Sequence, residues 1–240
     1  LIERCILRGN AQGYSLMGAI HCTFRNNIVF NNGFDGPRQS GWREVIMWTY
    51  GDKKAGSTGT ICEGNVFENN TFVNLVPQGH KLNHLVHSKS GTKNCTFRNN
   101  IFTIRGKPAF TLESFEGFAF ENNCIYNIGG GVQVDKNGTL ADFAKARGLK
   151  ESGTIGQDPM FVDMEKGDLR LKDGSPCIDA GSPSSSWTNE PAPHGGRVNL
   201  GAFGNTAEAS KSLTNTTSLL SISSSYGGAV PPVGAYHYYD

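Results

Sequence analysis

The side chains best suited to proton chemistry fall in three short stretches. Arg43 and Glu44 stand together, with Trp48 and Tyr50 just after them. His84, His87 and Lys89 follow, with Lys81 ahead of them, and Glu113 comes further along, before Gln133 and Asp135. Two reactions use such sets. Taking a proton from the carbon next to a carboxylate needs a base of tuned pKa and a cation to neutralise the acid. Lys89, His87, His84, Arg43 and Lys81 are residue types that do this. Cleaving a glycosidic bond with water needs two carboxylates at a set separation. Glu44 with Glu113, or Asp35 with Glu113, are the pairs available. Trp48 and Tyr50 offer ring faces to a sugar, and Glu44, Lys81, Gln133 and Asp135 offer groups that meet hydroxyls or carboxylates. Each reading competes with a plainer one. A single His is more often a surface or core-edge residue than a catalyst, and Glu113 is placed to form a surface ion pair with Lys89, which is worth little.

These residues hang on a repeat. The phrase Phe24-Arg25-Asn26-Asn27 recurs as Phe67-Glu68-Asn69-Asn70, Phe97-Arg98-Asn99-Asn100 and Phe120-Glu121-Asn122-Asn123. Each copy runs into a second apolar piece: Ile28-Val29-Phe30, Thr71-Phe72-Val73, Ile101-Phe102-Thr103 and Cys124-Ile125-Tyr126. Leu7-Arg8-Gly9-Asn10 reads as a degenerate earlier copy, although only 17 residues then separate Leu7 from Phe24 and the first coil must be irregular. The intervals of 43, 30 and 23 residues indicate one bare coil and two carrying loops. Strand, Asn-Asn turn and strand at such spacing are the mark of a solenoid. Alternation sends Cys95 and Phe97 to one side and Thr96 and Arg98 to the other. Arg25, Glu68, Arg98 and Glu121 then form an outward column, while inward Asn residues bond their counterparts on adjacent coils.

Composition narrows the partners. A formal net charge of +1 gives no broad electrostatic reason to bind nucleic acid or an anionic membrane. No window approaches the ~18 apolar residues of a membrane helix. Leu1 falls where the middle of a coil is expected, which suggests that a longer precursor precedes it. Cys5, Cys22 and Cys95 each stand two residues before the repeat's Phe or Leu7, with Asn65 and Phe118 in the same register elsewhere. They read as a buried column of small hydrophobes. Disulfides are compatible with this but not required, and the absence of a CxxC pair argues against structural zinc.

Residues 1–135 resemble a right-handed parallel β-helix, the fold of pectate lyases and many secreted polysaccharide-active proteins. The resemblance implies three strands per coil, with the first lying just before each repeat. The candidates are residues 14–17, 44–50, 84–89, 110–113 and 132–135. Alternation on them places Phe110, Leu112, Val132 and Val134 inside. It places Thr111, Glu113, Gln133 and Asp135 outside, with Leu85, His87 and Lys89 outside on the coil before. Arg43, Glu44, Trp48 and Tyr50 belong to the same face in a register left open. Insertions at 31–42, 51–60 and 75–83 border this sheet and would wall a groove, where function usually sits. His87-Ser88-Lys89-Ser90 followed by Asn94-Cys95-Thr96-Phe97-Arg98-Asn99-Asn100 resembles the stretch around the catalytic lysine of polysaccharide lyase family six. That match implies Lys89 as base. Two positions depart from it: the family's acidic calcium ligands are replaced here by Leu82 and His84, and its catalytic arginine by the stretch Thr111-Leu112-Glu113.

Downstream, Thr139 can N-cap a short helix to Arg147, with Gly148 ending it. Residues 136–204 are expected to hold this capping helix and a C-terminal cap of the same domain. The marks of that cap are Asp158-Pro159, Gly167-Asp168, Asp173-Gly174-Ser175-Pro176-Cys177 and Leu200-Gly201-Ala202-Phe203-Gly204. This set resembles the end of many bacterial secreted β-helix proteins. Asp158, Asp163, Asp173 and Asp179 raise calcium as a candidate cofactor, against the plainer reading of turn-forming Asp; no metal ligand is assigned. Residues 205–240 are a Ser/Thr-rich connection and terminal strand. Asn69, Asn94, Asn137 and Asn215 lie in glycosylation sequons, which a corner Asn69 would leave unused.

The expectation is therefore an all-β, right-handed parallel β-helix solenoid with a short capping helix and an irregular C-terminal cap, secreted or at the cell surface. It would act by lyase-type elimination on an acidic polysaccharide, with glycoside hydrolysis as the enzymatic alternative. A non-catalytic glycan-binding or structural module, able to self-associate through its N-terminal coil, is the other alternative.

Overall fold

A computed structural model describes residues 1–10, 12–32, 42–48, 61–75, 83–106, 108–130, 134 and 138–213. It is all-β apart from one short helix, and consistent with a β-solenoid. Three parallel sheets carry it. The first holds Tyr14–Met17, Trp42–Trp48, Asn83–Ser88 and Phe110–Leu112. The second holds Ile2–Glu3, Thr23–Arg25, Val66–Glu68, Thr96–Arg98, Ala119–Glu121 and Lys150–Ser152. The third holds Ile6–Arg8, Ile28–Phe30, Thr71–Asn74, Ile101–Arg105 and Cys124–Ile128.

The repeated Phe residues stack as the period requires. Phe24, Phe67, Phe97 and Phe120 lie face to face with centroids 4.8 to 5.4 Å apart. The strand spacing of about 4.8 Å matches the distance at which rings attract, so one column satisfies backbone and side chain together. Outside, Arg25 pairs with Glu3, and Arg98 reaches Glu121 at 2.7 Å and Glu68 at 3.7 Å.

The two Asn residues of each phrase divide the corner between them. The first (Asn26, Asn69, Asn99, Asn122) has φ between 50° and 56°, a left-handed turn that Asn tolerates. The second is buried and forms a ladder. Asn27 gives its backbone N–H and its Nδ2 to the Asn70 Oδ1, both at 3.0 Å; Asn70 does the same to Asn100, and Asn100 to Asn123. Each Nδ2 also donates to a carbonyl of the preceding coil, at Ile2, Phe24, Phe67 and Phe97.

This ladder corrects the frame of the first coil. Ile2, not Leu7, pairs with Phe24, and Arg4 takes the left-handed corner with φ 54°. The Cys5 N–H donates to the Asn27 Oδ1 across an interval of 22 residues, close to the bare coil of 23. Leu7 sits one strand later, against Val29, and Cys5 is exposed at a corner rather than in a buried column with Cys95. All six cysteines are free thiols.

The third sheet is apolar on both faces, which explains its unbroken apolar runs. Val29, Phe72, Phe102 and Ile125 point into the solenoid. Phe30, Val73, Ile101 and Cys124 point outward into a second core with Phe161, Leu169, Leu171, Cys177 and Leu200. Residues 161–213 thus lie along the flank of the coils. The left-handed Asn residues hold them: Asn26 donates to the carbonyls of Ala202 and Gly204, Asn69 to Asn199, Asn99 to the Ser185 hydroxyl, and Asn122 to Ala180. Gly201 has φ 86°, and a Cβ there would meet the Ile101 Cδ1 and Thr71 Oγ1 at 2.7 Å, so glycine alone permits the close approach. Leu140–Arg147 is an α-helix N-capped by Thr139 and closed by Gly148 at φ 64°. Its Leu140 enters the main core, and its Phe143 meets Phe115.

Candidate functional site

The outer face of the first sheet is set by register. Val45, Val86 and Phe110 align and point inward, as do Met47, Ser88 and Leu112. Between them Ile46, His87 and Thr111 form an outward column. One residue on, the Lys89 N–H donates to the Met47 carbonyl and the Glu113 N–H to the Ser88 carbonyl, both at 2.9 Å. Lys89 and Glu113 therefore share the next outward column, with Met17 at its far end (51% exposed).

Strict alternation fails at the strand starts. Leu85 and Glu44, expected to face outward, are both buried. Glu44, Leu85 and Ala109 occupy the corner where the chain turns into the sheet, and the next residue of each strand is also buried. The N–H groups of Leu85 and Val86 both donate to the Ala109 carbonyl at 2.9 Å, so regular pairing with Phe110–Leu112 begins only at Val86. The irregularity brings His84 onto the outer face beside His87, with ring centroids 6.0 Å apart.

Four side chains meet there. The Glu113 Oε1 lies 2.6 Å from the His87 Nε2. The Thr111 Oγ1 lies 2.9 Å from the His84 Nδ1. Glu113 thus pairs with His87 rather than with Lys89. The exposures differ sharply: the His87 side chain is 7% accessible and that of Glu113 55%. His87 is held under the surface and orients Glu113, while Lys89 is half-buried. Beneath them the Ser88 hydroxyl donates to the Ser114 carbonyl, and the Ser114 hydroxyl to that of Thr92 at 2.7 Å, which fixes the end of the neighbouring strand. Thr111 was not among the chemical candidates; its outward place opposite the histidines was the available signal.

Glu44 has a different role. Its Oε1 accepts from the Asn32 N–H and the Asn74 Nδ2, both at 3.0 Å, and its Oε2 from the Asn32 Nδ2 at 2.7 Å. Burial pushes its pKa up to about 8 against the pull of these three donors. It is an interior group that cannot meet a substrate. The strand positions of Arg43 and Trp48 are fixed, Arg43 opposite His84, but their side chains lie outside the described residues. Tyr50, Lys81, Gln133 and Asp135 lie outside them altogether, as do Asp35 and the loops expected to wall the groove, save for a few end residues.

The remaining candidates take structural parts. The Asp158 carboxylate accepts from the Met160 N–H, that of Asp163 from the Lys166 N–H, and that of Asp179 from the Gly195 N–H and the Ser212 hydroxyl. Those of Asp158 and Asp163 are turn bonds, those of Asp179 join distant parts of the flanking segment, and among the described residues no three His, Cys, Asp or Glu side chains converge on a metal position. Asn69 is buried against Asn199, which removes its sequon from use. No helix among the described residues is long and apolar enough to cross a membrane. A cleft of ≈ 620 Å³ lies away from this face, where Arg4 and Ile6 of the first coil and Asn26 of the next meet Phe203 and Glu208. It holds none of the proton-transfer candidates. No family model, curated protein or solved structure matches the chain.

Proposed function

We propose that this chain is a carbohydrate-active protein on a right-handed, pectate-lyase-like parallel β-helix, secreted or at the cell surface, that cleaves a uronate-containing polysaccharide by β-elimination. The observation that carries the reading is the outward column of the first sheet. An accessible Lys89 stands on the strand beside an exposed Glu113 that is fixed by the nearly buried His87.

In this reading the Lys89 Nζ is the base that takes the proton from the carbon bearing the uronate carboxylate. The electron pair left behind forms the new carbon–carbon double bond, and the glycosidic oxygen departs from the adjacent carbon with the C–O pair and takes a proton from water. Elimination also needs positive charge against the carboxylate. Arg43, which lies opposite His84 in the register, is the candidate for it. Glu113, held by His87, accepts from a sugar hydroxyl, and His84, fixed by Thr111, borders the same face. The hydrolytic reading loses one of its pairs, because a buried Glu44 cannot flank a glycosidic bond together with Glu113.

The test is to incubate the protein with pectin, alginate and glycosaminoglycans and follow the ultraviolet absorbance of unsaturated uronates. The expected outcome is product from at least one polymer, reduced at least about 100-fold by Lys89→Ala, the range for removing a general base. Binding without product from any polymer would support a non-catalytic glycan-binding module instead. Reducing sugar without the absorbance would support a hydrolase.

A further inference from the structure

Two of the six free thiols meet. Cys124 opens the last strand of the third sheet, and Cys177 lies on the flanking C-terminal segment. Both are fully buried in one apolar cluster with Phe161, Leu169 and Leu200. The Cys124 sulfur donates to the Gln157 carbonyl at 3.3 Å, and the Ser175 hydroxyl, two residues before Cys177, donates to the Pro159 carbonyl at 2.7 Å, which brings the two thiols side by side in that cluster. The neighbourhood is pinned on both sides. The Cys177 N–H donates to the Ser175 Oγ at 3.1 Å, its carbonyl accepts from the Leu200 N–H at 2.9 Å, and Asn122 bonds the Ala180 carbonyl at 3.2 Å. Cys5, Cys22 and Cys95 behave otherwise: each donates its S–H to the carbonyl two residues earlier in its own chain.

We propose that Cys124 and Cys177 form an oxidation site, a disulfide that ties the flanking segment to the last coil of the solenoid. The oxidant is a low-molecular-weight disulfide. One cysteine thiolate attacks it, releasing one small thiol and leaving a mixed disulfide. The second cysteine thiolate displaces the other small thiol. Two protein thiols lose two protons and two electrons, and one small disulfide becomes two thiols. Because both sulfurs are inaccessible once the segment has docked, the exchange takes place while it is still detached, and docking then sets the pair together. After docking, burial and the partner sulfur hold the Cys124 pKa well above its ordinary value, so thiolate is scarce and exchange is slow in either direction. The bond would constrain the detached state of a segment otherwise held by hydrogen bonds and the second core. The proposal does not depend on the lyase reading.

The experiment uses the full chain, unfolded and then refolded in a mixture of reduced and oxidised glutathione. Remaining thiols are alkylated in denaturant, and a non-reduced digest is mapped by mass spectrometry. Two of the six thiols are expected to resist alkylation, with one linked peptide pair containing Cys124 and Cys177. Reducing that form should lower its melting temperature by roughly 5–15 °C, as expected for a native crosslink in a domain of this size. Cys177→Ala should abolish the linked pair and leave the other thiols alkylatable. Six alkylatable thiols after oxidative refolding, or a linked pair joining other cysteines, would overturn the proposal. The peptide map of the unaltered chain decides even if Cys177→Ala fails to fold.

Discussion

The solenoid contains two Asn ladders built on opposite principles. In the long one, Asn27, Asn70, Asn100 and Asn123 repeat the same bonds coil after coil, each amide accepting from one neighbour and donating to the next. In the short one, the Asn10 N–H and Nδ2 donate to the Asn32 Oδ1 at 3.0 and 3.1 Å, and the series then stops. Among the described residues the Asn32 N–H and Nδ2 go to Glu44 and to the Leu7 carbonyl. The Glu44 carboxyl, from the first sheet, reaches in to accept from Asn32 and from Asn74. A neutral amide that is both donor and acceptor can repeat indefinitely. A carboxyl can only terminate the series, and it brings a titratable group into the interior. The difference teaches that the long ladder is a scaffold of uniform strength, whereas the short one is conditional on pH.

Removing a rung of the long ladder should have the largest effect. Asn100→Ala takes the Oδ1 acceptor from the Asn70 N–H and Nδ2 and one donor from the Phe67 carbonyl in a dry interior, and the expected loss is roughly 3–5 kcal/mol of unfolding free energy in urea. A loss near that of an ordinary surface substitution would mean that water or a backbone shift replaces the amide, and the contrast between the ladders would collapse.

The short ladder should show its difference through pH. The folded pKa of Glu44, about 8, lies above its unfolded value of 4.5, so the folded state retains a proton that the unfolded state has released. The contribution is fully present below pH 4.5 and is lost as pH rises toward 8, with a slope of at most about 1.4 kcal/mol per pH unit. Glu44→Gln should remove this slope while leaving stability at pH 5 within about 2 kcal/mol, since the isostere keeps an acceptor but no longer ionises. Urea titrations of both proteins at pH 5 and 8.5 provide the comparison. Parallel pH profiles would show that Glu44 is not the titrating group.

The smallest effect belongs to the outward charges on the same coils as the long ladder. The Arg98 side chain is 30% exposed between Glu68 and Glu121, and Arg98→Ala should cost less than about 1 kcal/mol, with the difference shrinking in high salt. A cost matching that of Asn100→Ala would place the stability of the coils in their charges rather than in their amides.

Much of this was legible in the chain. The Phe-x-Asn-Asn phrase gave the register of the second sheet, the outward Arg and Glu column and the buried amide stack, because a strand period of two and a fixed turn leave few other arrangements. The helix was equally clear from Thr139 and Gly148. The first coil was misframed because Leu7-Arg8-Gly9-Asn10 also reads as an apolar residue followed by a polar corner. Only the pairing of Ile2 with Phe24 distinguishes the second-sheet phrase from its third-sheet imitation. In the candidate site, the outward places of His87, Lys89 and Glu113 followed from alternation. The burial of Glu44 and Leu85 did not, because alternation holds within a strand and not at the corner that starts it.

The sequence by itself determined the repeat, the stacking of like on like and the residues available for proton chemistry, since these depend on local period and residue type. Tertiary structure alone decided that Glu113 takes His87 as its partner, that Glu44 closes a ladder inside, and that the first Asn of each pair grips a segment up to 178 residues away. Each of these joins groups far apart in the chain whose distance is set by how coils and flank pack, and no local pattern encodes that distance.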